Sequence, residues 1–166
     1  MDFLIVCIKK DLLRLLRLSL KYLRCSRTDK LLLLYIFILL AIVRLLLLLV
    51  PFRYITVWLG KYMKESPYID GTQDTFINRV GWAIQVVSKY TPWESKCLVQ
   101  AITAKILLRH KRLQNTMYLG VAKDSKDQMI AHAWLRSGNK LVTGGRNCST
   151  FTVVAKFADI GGNSGT

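Results

Sequence analysis

The stretch PWESKCLVQAITAKILLRHKRLQNTMYLGV, residues 92–121, changes its periodicity near the middle, and that change decides the fold. Over residues 95–112, Leu98, Ala101, Ile102, Leu107 and Leu108 recur at helical spacing, and Arg109, Lys111 and Arg112 fall where the negative end of a helix dipole favours cations. Residues 117–121 are instead a short apolar run of strand length. A helix feeding a sheet follows, with Cys97 in the helix's first turn. Downstream, MIAHAWL (129–135) and residues 140–143 give two more strands, and the polar clusters at 123–126 and 137–139 supply the turns between antiparallel neighbours. A last strand is expected over 151–157. Upstream, Ile77, Val80, Ile84 and Val87 predict a helix over 74–90, started by Asp74 or Thr75 and ended by Thr91-Pro92. The expected class is α+β, a central helix packed on an antiparallel sheet.

Further toward the amino terminus the composition shifts. The whole chain of 166 residues carries 25 Lys/Arg against 10 Asp/Glu, net +15, yet 52% of it is apolar, which excludes disorder as its main state. Residues 1–64 hold 12 basic and 3 acidic side chains and most of the leucine, whereas residues 65–166 hold 13 and 7. Three regions are therefore expected: a basic, leucine-rich helical region over 1–64, a globular core over 65–160, and a disordered tail over 161–166, where apolar residues are scarce. Within the first, Lys10, Arg14, Arg17, Lys21 and Arg24 form one stripe of an amphipathic helix and Leu12, Leu13, Leu16, Leu20 and Leu23 another. That basic stripe suits water, acidic lipid headgroups or an acidic peptide equally. Residues 31–52 are apolar all round except for Arg44, and at about 1.5 Å per residue they just reach across a bilayer. If they span, the eight Lys/Arg among the first 30 residues put the amino terminus in the cytoplasm. The alternative is a helix buried against the domain or lying in the membrane interface, with Arg44 snorkelling. A signal peptide fits poorly, because no small-residue cleavage site closes the run.

The chemistry concentrates in the second half. Cys7, Cys25, Cys97 and Cys148 lack the spacing of a zinc module or a disulfide framework, so no metal and no cofactor is expected and a cytoplasmic, reducing setting is favoured. A cysteine at a helix start meets unpaired N–H groups and the positive end of the dipole, which stabilise a thiolate; the same position also suits a small buried residue. His132 shares a strand face with Ile130 and Trp134, either beside a shielded site or in an aromatic core. Cys97 on a helix followed by His132 on a strand is the chain order of a Cys/His acyl-transfer site. Nucleic acid is not expected as a partner, since the basic residues sit in a leucine-rich arm without any recognition motif.

Pro92-Trp93-Glu94-Ser95-Lys96-Cys97-Leu98, then Tyr118-Leu119-Gly120-Val121, then Ala131-His132-Ala133-Trp134 resemble the leader peptidase of lasso-peptide biosynthesis, whose core is transglutaminase-like and papain-related. The resemblance covers residues 76–157, with weaker support over 44–60. It implies Cys97 as nucleophile and His132 as the base that later protonates the leaving amine. It also implies an Asp twelve residues after the histidine, where this chain has Gly144; a dyad, Thr143, Asn147 or Asp159 is left to orient the imidazole. The implied activity is a cysteine peptidase that removes the leader from a ribosomally made precursor. The implied partners are that precursor peptide, a leader-recognition protein and a macrolactam-forming cyclase, with a membrane surface as a possible contact of the N-terminal region. A non-catalytic membrane adaptor that binds peptide and a transglutaminase-like acyltransferase are the alternatives. Trp93 either walls the site or packs beneath its loop, and Cys148 reads as structural.

Overall fold

The computed structural model describes residues 26–68 and 74–160. The chain divides between Tyr35 and Ile36 into two units, and helix α1 (Arg27–Leu49) carries the boundary. The expected amphipathic helix of the first 25 residues, the 161–166 tail and the Asp74 cap side chain lie outside the described residues.

In the second unit, α1 presents Ile36, Leu39, Leu40 and Val43 to the interior, each 9% exposed or less. Their three- and four-residue spacing puts them on one stripe of the helix. Pro51 then starts α2 (Phe52–Thr56), and a 3-10 turn (Val57–Leu59) closes at Gly60. A two-residue strand β1 (Lys61–Tyr62), helix α3 (Asp74–Val87) and helix α4 (Cys97–His110) follow. After α4 come β2 (Asn115–Lys123), β3 (Met129–Ser137), β4 (Lys140–Thr143), a 3-10 turn (Cys148–Thr150) and β5 (Thr152–Asp159). Among the described residues the expected elements are present with ends moved by a few residues. α4 starts at Cys97, and β2 begins two residues before the apolar run because the polar Asn115 and Thr116 are buried in it by hydrogen bonds.

The sheet is antiparallel, in the order β1-β5-β2-β3-β4. α4 packs on β2, β3 and β4, and α3 packs on α4 and β4. Met117, Leu135 and Phe157 of neighbouring strands are nearly inaccessible, as are Ala101, Ala104 and Leu108 of α4. The small alanines let the helix sit close to the sheet. This core is the α+β arrangement expected from the switch in periodicity.

One buried ionic cluster anchors α4 by its carboxy-terminal half. The Lys105 ammonium, with a side chain 2% exposed, donates to Asn115 Oδ1 at 2.8 Å and to the Phe157 carbonyl at 3.1 Å, and lies 3.0 Å from Asp159 Oδ2. Arg109 grips the same carboxylate through Nε and Nη2, and its Nη1 donates to the Trp58 carbonyl at 2.6 Å. Asp159 is thereby committed at the Asn115 end of the sheet and is not the group that orients His132.

Candidate active site

Cys97 is the first residue of α4, half-buried and not in a disulfide. Lys96 precedes it in an extended conformation (φ −71°, ψ 178°), and no side chain caps the helix. The turn before it is tied by Thr91 Oγ1, which meets Ser95 Oγ at 2.8 Å, and by Gln100 Nε2, which donates to the Ser95 carbonyl at 2.7 Å. Trp93 packs on Phe37 of α1 with ring centroids 5.1 Å apart, and its buried indole N–H has no partner among the described residues. Arg44, the one charge in the leucine run, lies 3.6 Å from Glu94. The approach to Cys97 is thus braced against α1.

α4 is fixed to the sheet at Lys105 and Arg109 and runs back toward Cys97, eight residues or about 12 Å before Lys105. Along β2, Gly120 is five residues or about 17 Å beyond Asn115. Gly120 pairs with His132 across β2 and β3. Cys97 and His132 are thus each offset along their own elements from the ionic cluster that fixes α4 to the sheet. No hydrogen bond joins Cys97 Sγ to the imidazole among the described residues, so the contacts themselves do not couple the two. Michaelis complexes commonly tighten such pairs relative to the free enzyme.

His132 has a defined seat. Its ring lies 5.0 Å from that of Phe151 and 5.8 Å from that of Trp134, and Trp134 stacks on Tyr118 at 5.5 Å. Gly120 makes room for this cluster: a Cβ there would come within 2.9 Å of both Phe151 and the Trp134 ring. The imidazole Nε2 lies 2.7 Å from the Gly144 carbonyl oxygen. A carbonyl can only accept, so Nε2 carries a proton, and in the neutral ring the free lone pair is on Nδ1.

The pairing of β3 with β4 departs from a simple two-residue hairpin. Taking residues 137 and 138 as the hairpin tip puts Thr143 and Gly144 opposite His132. In the structure Ser137 pairs with Lys140, and a bulge then sets Thr143 opposite Leu135. The extra residue turns the end of β4 so that Gly144 reaches His132 by its backbone. Among the described residues Thr143 Oγ1 is buried without a partner, and neither it nor the Asn147 side chain hydrogen-bonds the ring.

Sequence reasoning missed two neighbours of this site. Phe151 leaves no signal beyond an aromatic at the head of the last strand. Arg136 does leave one, a cation inside an apolar strand on the face of His132 and Trp134. It is 4% exposed and donates to Tyr118 Oη at 2.9 Å, to the Ser66 carbonyl at 2.7 Å and to the Gly138 carbonyl at 2.7 Å, while its guanidinium lies 3.7 Å from the centre of the Tyr68 ring. Burial pushes the Tyr118 hydroxyl up to about 12 against the opposing pull of Arg136, so the phenol stays protonated. The Lys156 hydrogen bond holds Glu65, beside Arg136, below the usual carboxylate range.

A half-buried cysteine opening a central helix, a strand histidine with an assigned ring orientation and an antiparallel sheet define a class of papain-related folds. A family model described as the Transglutaminase-like superfamily matches residues 40–156, and the chain belongs to that superfamily, which includes cysteine peptidases and acyltransferases. No match is found among curated proteins or among solved structures.

Proposed function

We propose that the protein is a cysteine peptidase that removes the leader from a ribosomally synthesised lasso-peptide precursor. The observation that carries the reading is the His132 ring, held through Nε2 so that Nδ1 is free to act as a base, in a superfamily of commonly cysteine-dependent enzymes. In the proposed cycle Nδ1 takes the Cys97 proton and the thiolate attacks the carbonyl at the leader–core junction. The imidazolium then returns the proton to the departing core amine, and water hydrolyses the remaining thioester to free the leader and the thiol. A leader-recognition protein delivers the precursor, and a macrolactam-forming cyclase consumes the freed amine.

This substrate is made and processed in the cytoplasm, so the same reading holds the domain on the cytoplasmic face of a membrane. Support comes from α1. It is long and apolar enough to cross a bilayer, but Ile36, Leu39, Leu40 and Val43 belong to the core of the second unit, and a spanning helix would strip them from it. Attachment by the outer face of α1 keeps both requirements.

Incubating the intact protein with precursor peptide and the leader-binding partner tests the activity. Cleaved leader is expected; an isopeptide or other acyl-transfer product means an acyltransferase, and binding without product means an adaptor. Cys97→Ala and His132→Ala should each lower cleavage by about 10³-fold or more while leaving the circular dichroism spectrum unchanged. Activity retained in either variant removes that residue from the mechanism.

A further inference from the structure

We propose that the main-chain carbonyl of Gly144 is the positioning group for His132, standing where the resemblance implies a carboxylate. The inference rests on the Cys97/His132 reading above and specifies how that site is oriented. The Nε2–oxygen distance of 2.7 Å is that of a well-formed hydrogen bond. Phe151 and Trp134 flank the ring and limit its rotation. Asp159 is held instead by Lys105 and Arg109, and no hydrogen bond joins the Asn147 side chain to the imidazole among the described residues.

Gly144 is suited to this role because it is glycine. Its φ is +68°, in the left-handed region, and a Cβ added there would collide with the Ala133 carbonyl oxygen and lie 2.9 Å from Trp134 Cβ. These are a backbone atom of β3 and a carbon next to that backbone, so a side chain cannot enter without moving the segment that aims the carbonyl. An Asp at this position would displace the acceptor that now does the orienting. The missing carboxylate and the glycine are therefore one feature: the chain exchanges a side-chain acceptor for a backbone one. In the acid–base cycle the carbonyl never changes protonation state. Nε2 keeps its proton throughout, and only Nδ1 gains one from the thiol and passes it to the leaving amine. A neutral acceptor fixes the tautomer but adds no negative charge beside the imidazolium.

The test reads the tautomer directly. Nitrogen-15 spectra of the intact protein, with His132 assigned against a His132→Gln variant, should show the neutral ring as a single Nε2–H tautomer. In Gly144→Ala the ring should populate both tautomers, and the cleavage rate should fall by about 10²-fold with the far-ultraviolet spectrum unchanged. A wild-type ring in the Nδ1–H form, or one exchanging between forms, overturns the assignment without need of the variant. So does a Gly144→Ala protein that keeps one tautomer and full activity. Failure of the peptidase reading looks different: a wild-type ring locked as Nε2–H in a protein that leaves the precursor whole supports the positioning role and removes the reaction.

Discussion

A single guanidinium illustrates how much of this sheet's His132-bearing face depends on one side chain. Arg136 supplies donors to the Tyr118 hydroxyl and the Ser66 carbonyl, both buried bonds, and to the part-buried Gly138 carbonyl. Replacing it with Met keeps the volume and removes every donor. Each buried acceptor left unmet costs roughly 1–3 kcal/mol, so Arg136→Met should lose at least about 2 kcal/mol of stability. Arg136→Lys should recover only part of this, because an ammonium cannot match the planar fork. Urea midpoints of the three proteins provide the comparison, and a Met variant within about 1 kcal/mol of wild type would show that the network is held by other contacts.

At the level of elements, the placement of α4 on the sheet depends on the cluster around Lys105. Burial pushes the Lys105 ammonium down to about 8, although Asp159 pulls the other way. Burial also tends to raise Asp159, but the Arg109 and Lys105 cations outweigh it and its carboxyl ends below the usual range. The signs follow from linkage. A carboxyl depressed on folding contributes stability that is present above its unfolded value and is lost as pH falls through its folded value, so the cluster should fail in acid. A lysine depressed on folding works in the opposite sense: between about 8 and 10.5 the folded state has released a proton that the unfolded chain retains, and stability rises with pH across that window. Asp159→Asn should therefore cost about 3 kcal/mol at pH 7 by leaving the buried ammonium without its counter-charge; because Asp159 is what pulls Lys105 upward, its loss lowers that ammonium further, and the deficit should narrow as pH rises toward 8 and stay constant above it. Thermal melts of both proteins from about pH 6 to 10 read the two slopes; a deficit that does not narrow below pH 8 would mean that Asp159 does not hold Lys105 in its charged form. The elements themselves were legible, because periods of 3.6 and 2 follow directly from which side chains face the core. The pairing of β3 with β4 was not, since a bulge inserts a residue without altering the alternation of either strand, and that bulge is what brings a backbone carbonyl to His132.

For the whole molecule, the leucine run poses a question that sequence frames without deciding. Length and hydropathy suit a bilayer span, and the same residues suit a core helix; only the tertiary contacts separate the two. α1 is two-sided: one stripe is buried, while Ile38, Ile42, Leu45, Leu46 and Leu49 are 47–72% exposed, and Trp58 a little further on is 77% exposed. Residues 36–64 also contain Arg44, Arg53, Lys61 and Lys64 and no acidic side chain, which suits an anionic headgroup layer. The family match, starting at residue 40, takes in the second half of α1, consistent with a helix that belongs to the fold. On the proposed in-plane attachment, the intact protein should bind vesicles containing anionic lipid, and more weakly at high salt. Leu45→Gln combined with Leu49→Gln removes two exposed leucines at roughly 1.5 kcal/mol each, so partitioning should drop by about 100-fold with the fold intact. In sealed membranes from expressing cells, protease added from the cytoplasmic side should reach the Cys97 domain. Protection from that side, with digestion only after the membrane is breached, would mean that α1 spans the bilayer and that the domain works on the other face.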